Sequence, residues 1–538
     1  VNPNGIDPSV ANPNLIVPTA ITLTAQPYLN DNYRGNVAGV MQYVQFSGWS
    51  SGVNRFDWIS EASWAGPYNT LRILKHLNER AVADKMEFQQ GLAIVLRAFN
   101  FGYITDGWGD APYSKALKGD IGGQEDLFPV FDAQEDIYKG IIEELKTANT
   151  LLSKTESEYS GINKDVDLIY GGSPSKWRKM ANSLRLRYYM RVSAKLPDYA
   201  KAGIEGIISD PAKYPIFSSS ADDATMGYVG AASSDSWPAN TLNDLDATNT
   251  IFSRIQMCAG LRDVLLDYQD PRIAVWFKKV NIPIKVSTLY PQNDVIVGGI
   301  RYLRPEYMAA KQFVVYNKNT WPADVNAGKT LVDTLEYVGI PTASQSGENV
   351  YNLNPNTQQG GFNDHVSALA DKYKSPIGPM LRARLISYTE ICFILAESAK
   401  KGWNVGSQQT WYEKGVKASL ELWGVGTSYN SYIAVPGVAY NASLDQIIIQ
   451  KWIANWNMAF ESWCDWRRTG LPKLSFGTRG RRLQMPIRFR YDANDKSRNA
   501  TNYNAAAAKL VPTAFTSLDG NDSAWSKMWL LQGSNIPY

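Results

Sequence analysis

Apolar residues recur every three or four positions over long stretches of this chain, the spacing that lines one face of a helix. Leu71, Leu74 and Leu77 form one stripe, and Phe88, Leu92, Val95 and Phe99 form the next. Ile137, Ile141 and Leu145 follow with Leu152, and then Trp177, Ala181, Leu184 and Tyr188. Far downstream come Tyr388, Cys392, Leu395 and Ala399, then Tyr412, Val416 and Leu420. Each neighbouring pair of stripes predicts an antiparallel helical hairpin. The last strong stripe, Ile449, Trp452, Trp456, Phe460 and Trp463, predicts one helix running from Ile447 and ended by Gly470 and Pro472. No repeat of fixed length is visible, so the pattern alone does not predict a regular solenoid.

Between about residues 205 and 380 the texture changes. Runs shorten, and Gly, Asn, Ser and Pro rise, as in Ser218-Ser-Ser-Ala-Asp-Asp and Asn352-Leu-Asn-Pro-Asn-Thr-Gln-Gln-Gly-Gly. Strand-like pieces occur at Ile282–Val286 and Val295–Val297. This reads as a loop-rich insertion with short strands and helices, not a second parallel-sheet domain. The N-terminus is polar and rich in Pro and Asn, which predicts an extended tether over residues 1–17 and a helix start at Pro18. Residues 18–538 are expected to form one domain, with helical scaffold over about 18–204 and 381–470 and an irregular end over about 471–538.

Of 538 residues, 44% are hydrophobic and 20% charged, so the chain can bury a large core and is not disordered. With 54 basic and 51 acidic side chains, overall charge gives no argument for a nucleic acid or an anionic membrane. No apolar run approaches the roughly 20 residues of a membrane span. Taken together, the 17 Trp and 30 Tyr outnumber the 17 Phe in a way that suggests some half-exposed rings, apolar on the face and polar at the tip.

Little catalytic chemistry is visible. Cys258, Cys392 and Cys464 have no metal-like spacing and read as buried small side chains, though a disulfide between two of them is not excluded. His76 and His365 have no second ligand at a useful spacing. No nucleophile elbow, phosphate loop or zinc-protease motif appears. Asn163, Asp165 and Asp167 alternate as a calcium loop would open, but the central Gly and closing Glu are missing. An Asx-type turn is the preferred reading, so no cofactor is expected and a calcium ion is the weaker alternative. From Arg467 to Arg498 there are ten basic residues against two acids. Arg467 and Arg468 end a helix, where cations favour the dipole, and Arg488 and Arg490 share one face of an extended piece. Structural ion pairs to internal acids such as Glu461 and Asp465 are expected there, and nucleic-acid binding is not.

The segment Gln450-Lys-Trp, continuing to Phe460-Glu-Ser-Trp-Cys-Asp-Trp-Arg-Arg-Thr-Gly-Leu-Pro472, resembles the SusD/RagB-like family of outer-membrane nutrient-binding lipoproteins. Further blocks fit in order: Trp64-Ala-Gly-Pro-Tyr, Arg97 to Tyr113 with Trp108-Gly-Asp-Ala-Pro, Trp177 to Ser193, Asp270-Pro-Arg272, Glu390 to Gly402, and Met485-Pro-Ile-Arg-Phe-Arg-Tyr491. The resemblance runs from about residue 10 to the C-terminus. It implies a mainly α fold of degenerate tetratricopeptide-like hairpins carrying a loop-rich binding face. It also implies a lipidated cysteine upstream of Val1, hence a lipid-anchored protein exposed on the outer membrane. The function it implies is capture of an oligosaccharide or oligopeptide for a SusC-like TonB-dependent transporter, with no catalysis.

Family resemblance carries over no ligand residue, so candidates come from the residues themselves. Trp49, Arg55, Asp57 and Trp58 lie in a Gly/Ser-rich stretch that offers rings, a donor fork and an acceptor. Trp237, Tyr290, Tyr316 and Trp321 lie in the irregular middle beside Pro, Asn or Asp. Loops on a rigid scaffold are where binding residues concentrate. Sugars and peptides both use Trp, Tyr, Asn and Arg, so the sequence leaves the ligand class open. Two rival readings are a polymer-degrading hydrolase, a glycosidase or peptidase, and a helical-repeat protein adaptor.

Overall fold

The computed structural model describes residues 11–48, 51–238, 251–344, 348–355, 362–536 and 538. Six long helices precede the irregular middle: α1 (Pro13–Tyr33), α2 (Ala65–Ala83), α3 (Glu87–Trp108), α4 (Gln134–Leu151), α5 (Pro174–Val192) and α6 (Pro197–Ser209). Four follow it: α7 (Tyr388–Lys400), α8 (Gln408–Leu422), α9 (Leu444–Ala454) and α10 (Ala459–Thr469). Sequence neighbours pack on one another from α2 through α6, and α7 packs on both α8 and α9. This is the expected run of tetratricopeptide-like hairpins. The stripes from Leu71 to Tyr188 are buried throughout and form one core. Between α3 and α5 the approach is close enough to require glycine: a Cβ on Gly102 would lie 2.1 Å from the Tyr188 hydroxyl.

Two boundaries differ from expectation. Helix α1 begins at Pro13, not Pro18, because Asn12 supplies the cap: its side chain accepts from the Asn14 N–H at 2.9 Å. The Asn14 amide also donates to the Gly161 carbonyl at 2.8 Å, which fastens this first turn to the scaffold. The Trp-rich stripe is not one helix but two. It breaks after Ala454, where Asn457 takes a left-handed φ of 70°, a conformation Asn adopts more readily than most residues. The break is filled from elsewhere, since Asn32 of α1 accepts from the Phe460 N–H at 2.7 Å and Asn455 donates to Ser462 at 3.1 Å. Gly470 ends α10 in the left-handed conformation, as expected, with its N–H on the Trp466 carbonyl.

The middle carries small sheets rather than a domain-sized one. β1 (Val44–Phe46) pairs antiparallel with β3 (Ile255–Met257), and β2 (Ala224–Met226) pairs antiparallel with β9 (Ala383–Ile386). β4 (Ile284–Val286), β6 (Ile300–Leu303) and β5 (Asp294–Val297) form a three-stranded sheet in that order, and β7 (Phe313–Val315) pairs parallel with β8 (Thr330–Val332). Both β1 and β9 lie outside the middle, so these pairings stitch it to the scaffold.

A chain of buried charges ties the helices together. Arg187 of α5 grips Glu390 of α7 through two bonds of 2.7 and 2.6 Å. Arg191, one turn on, reaches Glu461 of α10 at 2.5 Å and Asp106 of α3 at 2.9 Å. Tyr28 of α1 donates to the same Glu461 at 2.9 Å. Beyond it, Asp465 meets Lys451 at 2.7 Å and Arg468 at 3.0 Å, and the same Arg468 nitrogen donates to Glu397 at 2.6 Å while its other terminal nitrogen bonds the second Glu397 oxygen. All these ionic groups are nearly inaccessible to solvent.

The basic stretch is largely structural, as expected, with one difference in partners. Arg468 uses Asp465, but Glu461 belongs to Arg187 and Arg191. Among the described residues Arg467 takes no acid: it lies 3.7 Å over the Trp463 ring and donates to the Asp106 and Ile487 carbonyls. Arg488 pairs with Asp522 at 2.6 Å.

The charge chain predicts an acid transition. Burial alone would raise the Asp465 carboxyl, but Lys451, Arg468 and Arg191 outweigh it and hold the group down to about 2. The unfolded value is near 3.9, so the stability from this group is full above about pH 4 and lost as pH falls toward 2. The loss from Asp465 alone is about 2–3 kcal/mol. Urea midpoints at pH 7, 4 and 2 should show this drop in the parent and a smaller one in Asp465→Asn; equal slopes would refute the assignment.

Candidate functional site

The Gly/Ser-rich stretch after β1 is where the structure places a cavity. A short helix, Ser51–Asn54, turns the chain, and Asn54 closes the loop by bonding the Phe46 N–H at 2.8 Å and its carbonyl at 2.7 Å. The chain then runs past Arg55, Asp57 and Trp58. Beside it opens a cavity of about 270 Å³. Trp58, Trp108, Tyr103 and Phe489 supply rings to its lining; Asp31, Asp57, Glu61 and Arg490 supply charge.

Each wall is held from a different part of the fold. Tyr103 and Trp108 sit on the last turns of α3, where the helix core fixes them. Phe489 comes from the extended segment after α10, and its N–H donates to the Gly107 carbonyl at 2.8 Å. Trp58 stacks on Phe489 with centroids 5.2 Å apart and meets Trp463 edge-on at 5.4 Å. Its indole N–H donates to the Gly52 carbonyl at 3.0 Å. Trp58 is only 6% exposed, so it is a wall packed from behind.

Among the other sequence candidates, burial separates two groups. Trp49 lies outside the described residues. Arg55 is half-buried, and its carbonyl accepts the Arg481 N–H at 2.7 Å. Asp57 has a side chain 31% exposed, with the Arg481 guanidinium 3.7 Å away. Trp237 is fully buried, 4.8 Å from Tyr33 and edge-on to Tyr228, which corrects the half-exposed reading of its loop. Trp321 is 4% exposed in a small core of the middle region with Leu331, Val338 and Tyr351, a second correction. In both cases rings and chains remote in sequence cover an indole whose neighbours are polar. Tyr316 is half-buried, and its hydroxyl is spent on Asp263 at 2.6 Å while Arg262 lies 4.7 Å over its ring. Tyr290 is half-buried and meets Tyr302 edge-on at 4.8 Å, beside Leu289, which is 65% exposed. The described candidates thus fall in separate places: the cavity and its approach, the middle core, the scaffold core and the β4–β5 connection.

Residues that the sequence reading did not pick as ligand contacts make much of the cavity: Asp31, Glu61, Tyr103, Trp108, Phe489 and Arg490. The last two were legible as alternating positions in Met485 to Tyr491, but read only as structure.

The remaining sequence candidates for chemistry are absorbed by the fold. Asp167 accepts from the Ile169, Tyr170 and Gly172 N–H groups and from the Trp177 indole at 2.8–3.1 Å, while Asn163 caps Asp165. This is the expected Asx-type arrangement, and it leaves Asp167 little capacity for a cation. His365 is buried, with one ring nitrogen 2.6 Å from the Ile282 carbonyl and the other 3.1 Å from Arg301. Burial, with Arg301 adding to it, keeps its pKa below the usual histidine value. All three cysteines are buried and unbridged, and burial raises the Cys258 thiol to about 11.

The fold has close counterparts. A SusD homologue from Bacteroides fragilis superposes with a TM-score of 0.69 at 22% identity, over 97% of this chain and 100% of that one. A chitin-binding SusD homologue from Flavobacterium johnsoniae gives 0.68 at 22% identity, over 97% and 98%. A SusD-like protein from Bacteroides thetaiotaomicron gives 0.68 at 19%, over 98% and 100%. No curated protein sequence matches. A family model described as "Starch-binding associating with outer membrane" matches residues 3–290 and 304–492. With the helical scaffold and the ordered sequence blocks, that match establishes that the chain belongs to the SusD-like family of outer-membrane-associated binding proteins.

Proposed function

We propose that this protein is a cell-surface, lipid-anchored receptor that captures a glycan, at the cavity beside Trp58, and hands it to a SusC-like TonB-dependent transporter without cutting it. The observation that carries the reading is the cavity itself. It has ring walls fixed from three separate elements and polar groups at its edge, the arrangement that orients a sugar. Glycan rather than peptide is favoured by the family description and by the chitin-binding relative. Tyr302 on β6 and Tyr290, in the connection between β4 and β5, are proposed as a second platform for a longer chain.

Titration with starch, chitin and β-glucan oligosaccharides, and with oligopeptides as the comparison arm, should give saturable binding to a glycan. The product profile of each polymer should stay unchanged after prolonged incubation. Turnover that tracks with the purified protein would overturn the non-catalytic reading; peptide binding alone would overturn the glycan. Expressed with its native leader, the protein should be lipidated and co-purify with a large β-barrel transporter, and recovery only from cytosol would sink the assembly.

A further inference from the structure

The cavity has an imbalance of donors and acceptors that points to the chemistry of its ligand. Its ring and guanidinium donors are spent on the protein, and the rest of the lining adds only the neutral donors of Asn36, Ser60 and Ser63. The Trp58 and Trp108 indoles donate to the Gly52 and Ala62 carbonyls at 3.0 and 3.1 Å, and the Tyr103 hydroxyl donates to Asp31. Arg488 is held by Asp522 and by the Trp108 carbonyl. Arg490 is held by the Asp522 and Ile59 carbonyls, with Glu61 at 3.5 Å.

Two lining acceptors are left over. Asp57 Oδ1 is buried without a hydrogen-bond partner among the described residues, and the nearest guanidinium nitrogen stands off at 3.7 Å. Asp31 has the Tyr103 hydroxyl and, among the described residues, no cation in ion-pair contact. Burial raises the pKa of the Asp31 carboxyl above its ordinary value, and the Tyr103 bond only partly offsets this. A carboxylate poor in donors and short of a counter-ion is stabilised by an incoming cation that can donate hydrogen bonds.

We propose that this cavity seats a protonated amino group, and that the ligand presenting it is a glycan of amino sugars with free amines. The ammonium would donate to Asp57 and Asp31 while the sugar ring lies against the aromatic walls, where a cation also gains from ring faces. The cavity is small for a ligand site, which fits one sugar residue of a longer chain. An anionic sugar would face carboxylates with few donors free to receive it. The proposal rests on the glycan-capture reading above and narrows it.

The test is a titration with glucosamine oligomers, N-acetylglucosamine oligomers of equal length, and oligolysine, against the parent, Asp57→Asn and Asp31→Asn. Glucosamine oligomers should bind the parent about tenfold tighter or more than the acetylated ones. Each substitution should remove most of that margin. Thermal melts accompany the titrations, and if Asp31→Asn melts below the assay temperature, the partly exposed Asp57→Asn carries the result. Equal or tighter binding of the acetylated oligomers overturns the proposal and leaves glycan capture standing. So does a margin that survives both substitutions. Oligolysine binding in place of glucosamine overturns the sugar assignment. No binding of any glycan, in these arms or in the broader panel, overturns both readings.

Discussion

Glu461→Ala is expected to lower the stability of the protein by about 3–5 kcal/mol, the range for removing one partner of a buried ion pair. Glu461 accepts from Arg191 at 2.5 Å and Tyr28 at 2.9 Å, and Arg187 lies 3.4 Å away. Its loss leaves two buried guanidiniums sharing Asp106 and Glu390 and strands a buried hydroxyl. Three helices, α1, α5 and α10, lose a common tie. The exposed pair Lys139–Glu135 is the control: at 2.6 Å it is as short as many buried bonds, yet Glu135→Ala should cost under about 1 kcal/mol. Denaturant unfolding of both variants decides the matter. A small loss for Glu461→Ala would mean that water or a rearranged Arg191 replaces the carboxylate.

The charge chain marks where sequence reading stops. Helical stripes are local, with every member within four residues of the next, so Leu71 to Tyr188 could be placed without knowing the fold. Pairing of Arg191 with Glu461 crosses 270 residues, and no local pattern records it. The sequence did indicate that the arginines near residue 467 find internal acids, because a helix end and a two-residue alternation are local facts. It could not tell that Arg467 would instead rest on Trp463 and carbonyls. Helix breaks fail for the same reason. Ile449 to Trp463 keeps a helical period across Asn457, and the side-chain oxygen that caps the start of the second helix is that of Asn32, far upstream.

The candidate site was half legible. The Gly/Ser stretch leads into Asp57 and Trp58, which line a cavity. The inference that a ring in a polar loop is exposed was weaker, because burial depends on what packs over the loop. Trp237 is closed in by Tyr33 of α1 as well as by nearby Tyr228, and Trp321 by Leu331 of β8 and by Tyr351. Tyr290 is covered on one side by Tyr302 and stays half-buried.

Trp58→Ala is the variant on which the sequence and the structure give opposite expectations. The loop composition predicts a ligand anchor, with a binding loss of about 1–3 kcal/mol and a modest effect on unfolding. The structure puts the same indole 6% exposed, against Phe489 at 5.2 Å and Trp463 at 5.4 Å, with its N–H on the Gly52 carbonyl. Truncation there opens a hole under the cavity and frees a carbonyl, so the unfolding free energy should fall by about 3–5 kcal/mol. That matches the loss expected for the fully buried Trp456→Ala. Trp58→Phe separates packing from the hydrogen bond: it keeps a ring on Phe489, loses the donor, and should cost nearer 1 kcal/mol. Melts of the three variants, each with glycan titrations below its transition, read both quantities. If Trp58→Ala melts like the parent and loses only affinity, the wall does not bear on the core, and the packing of Phe489 and Trp463 behind it is not what holds the loop.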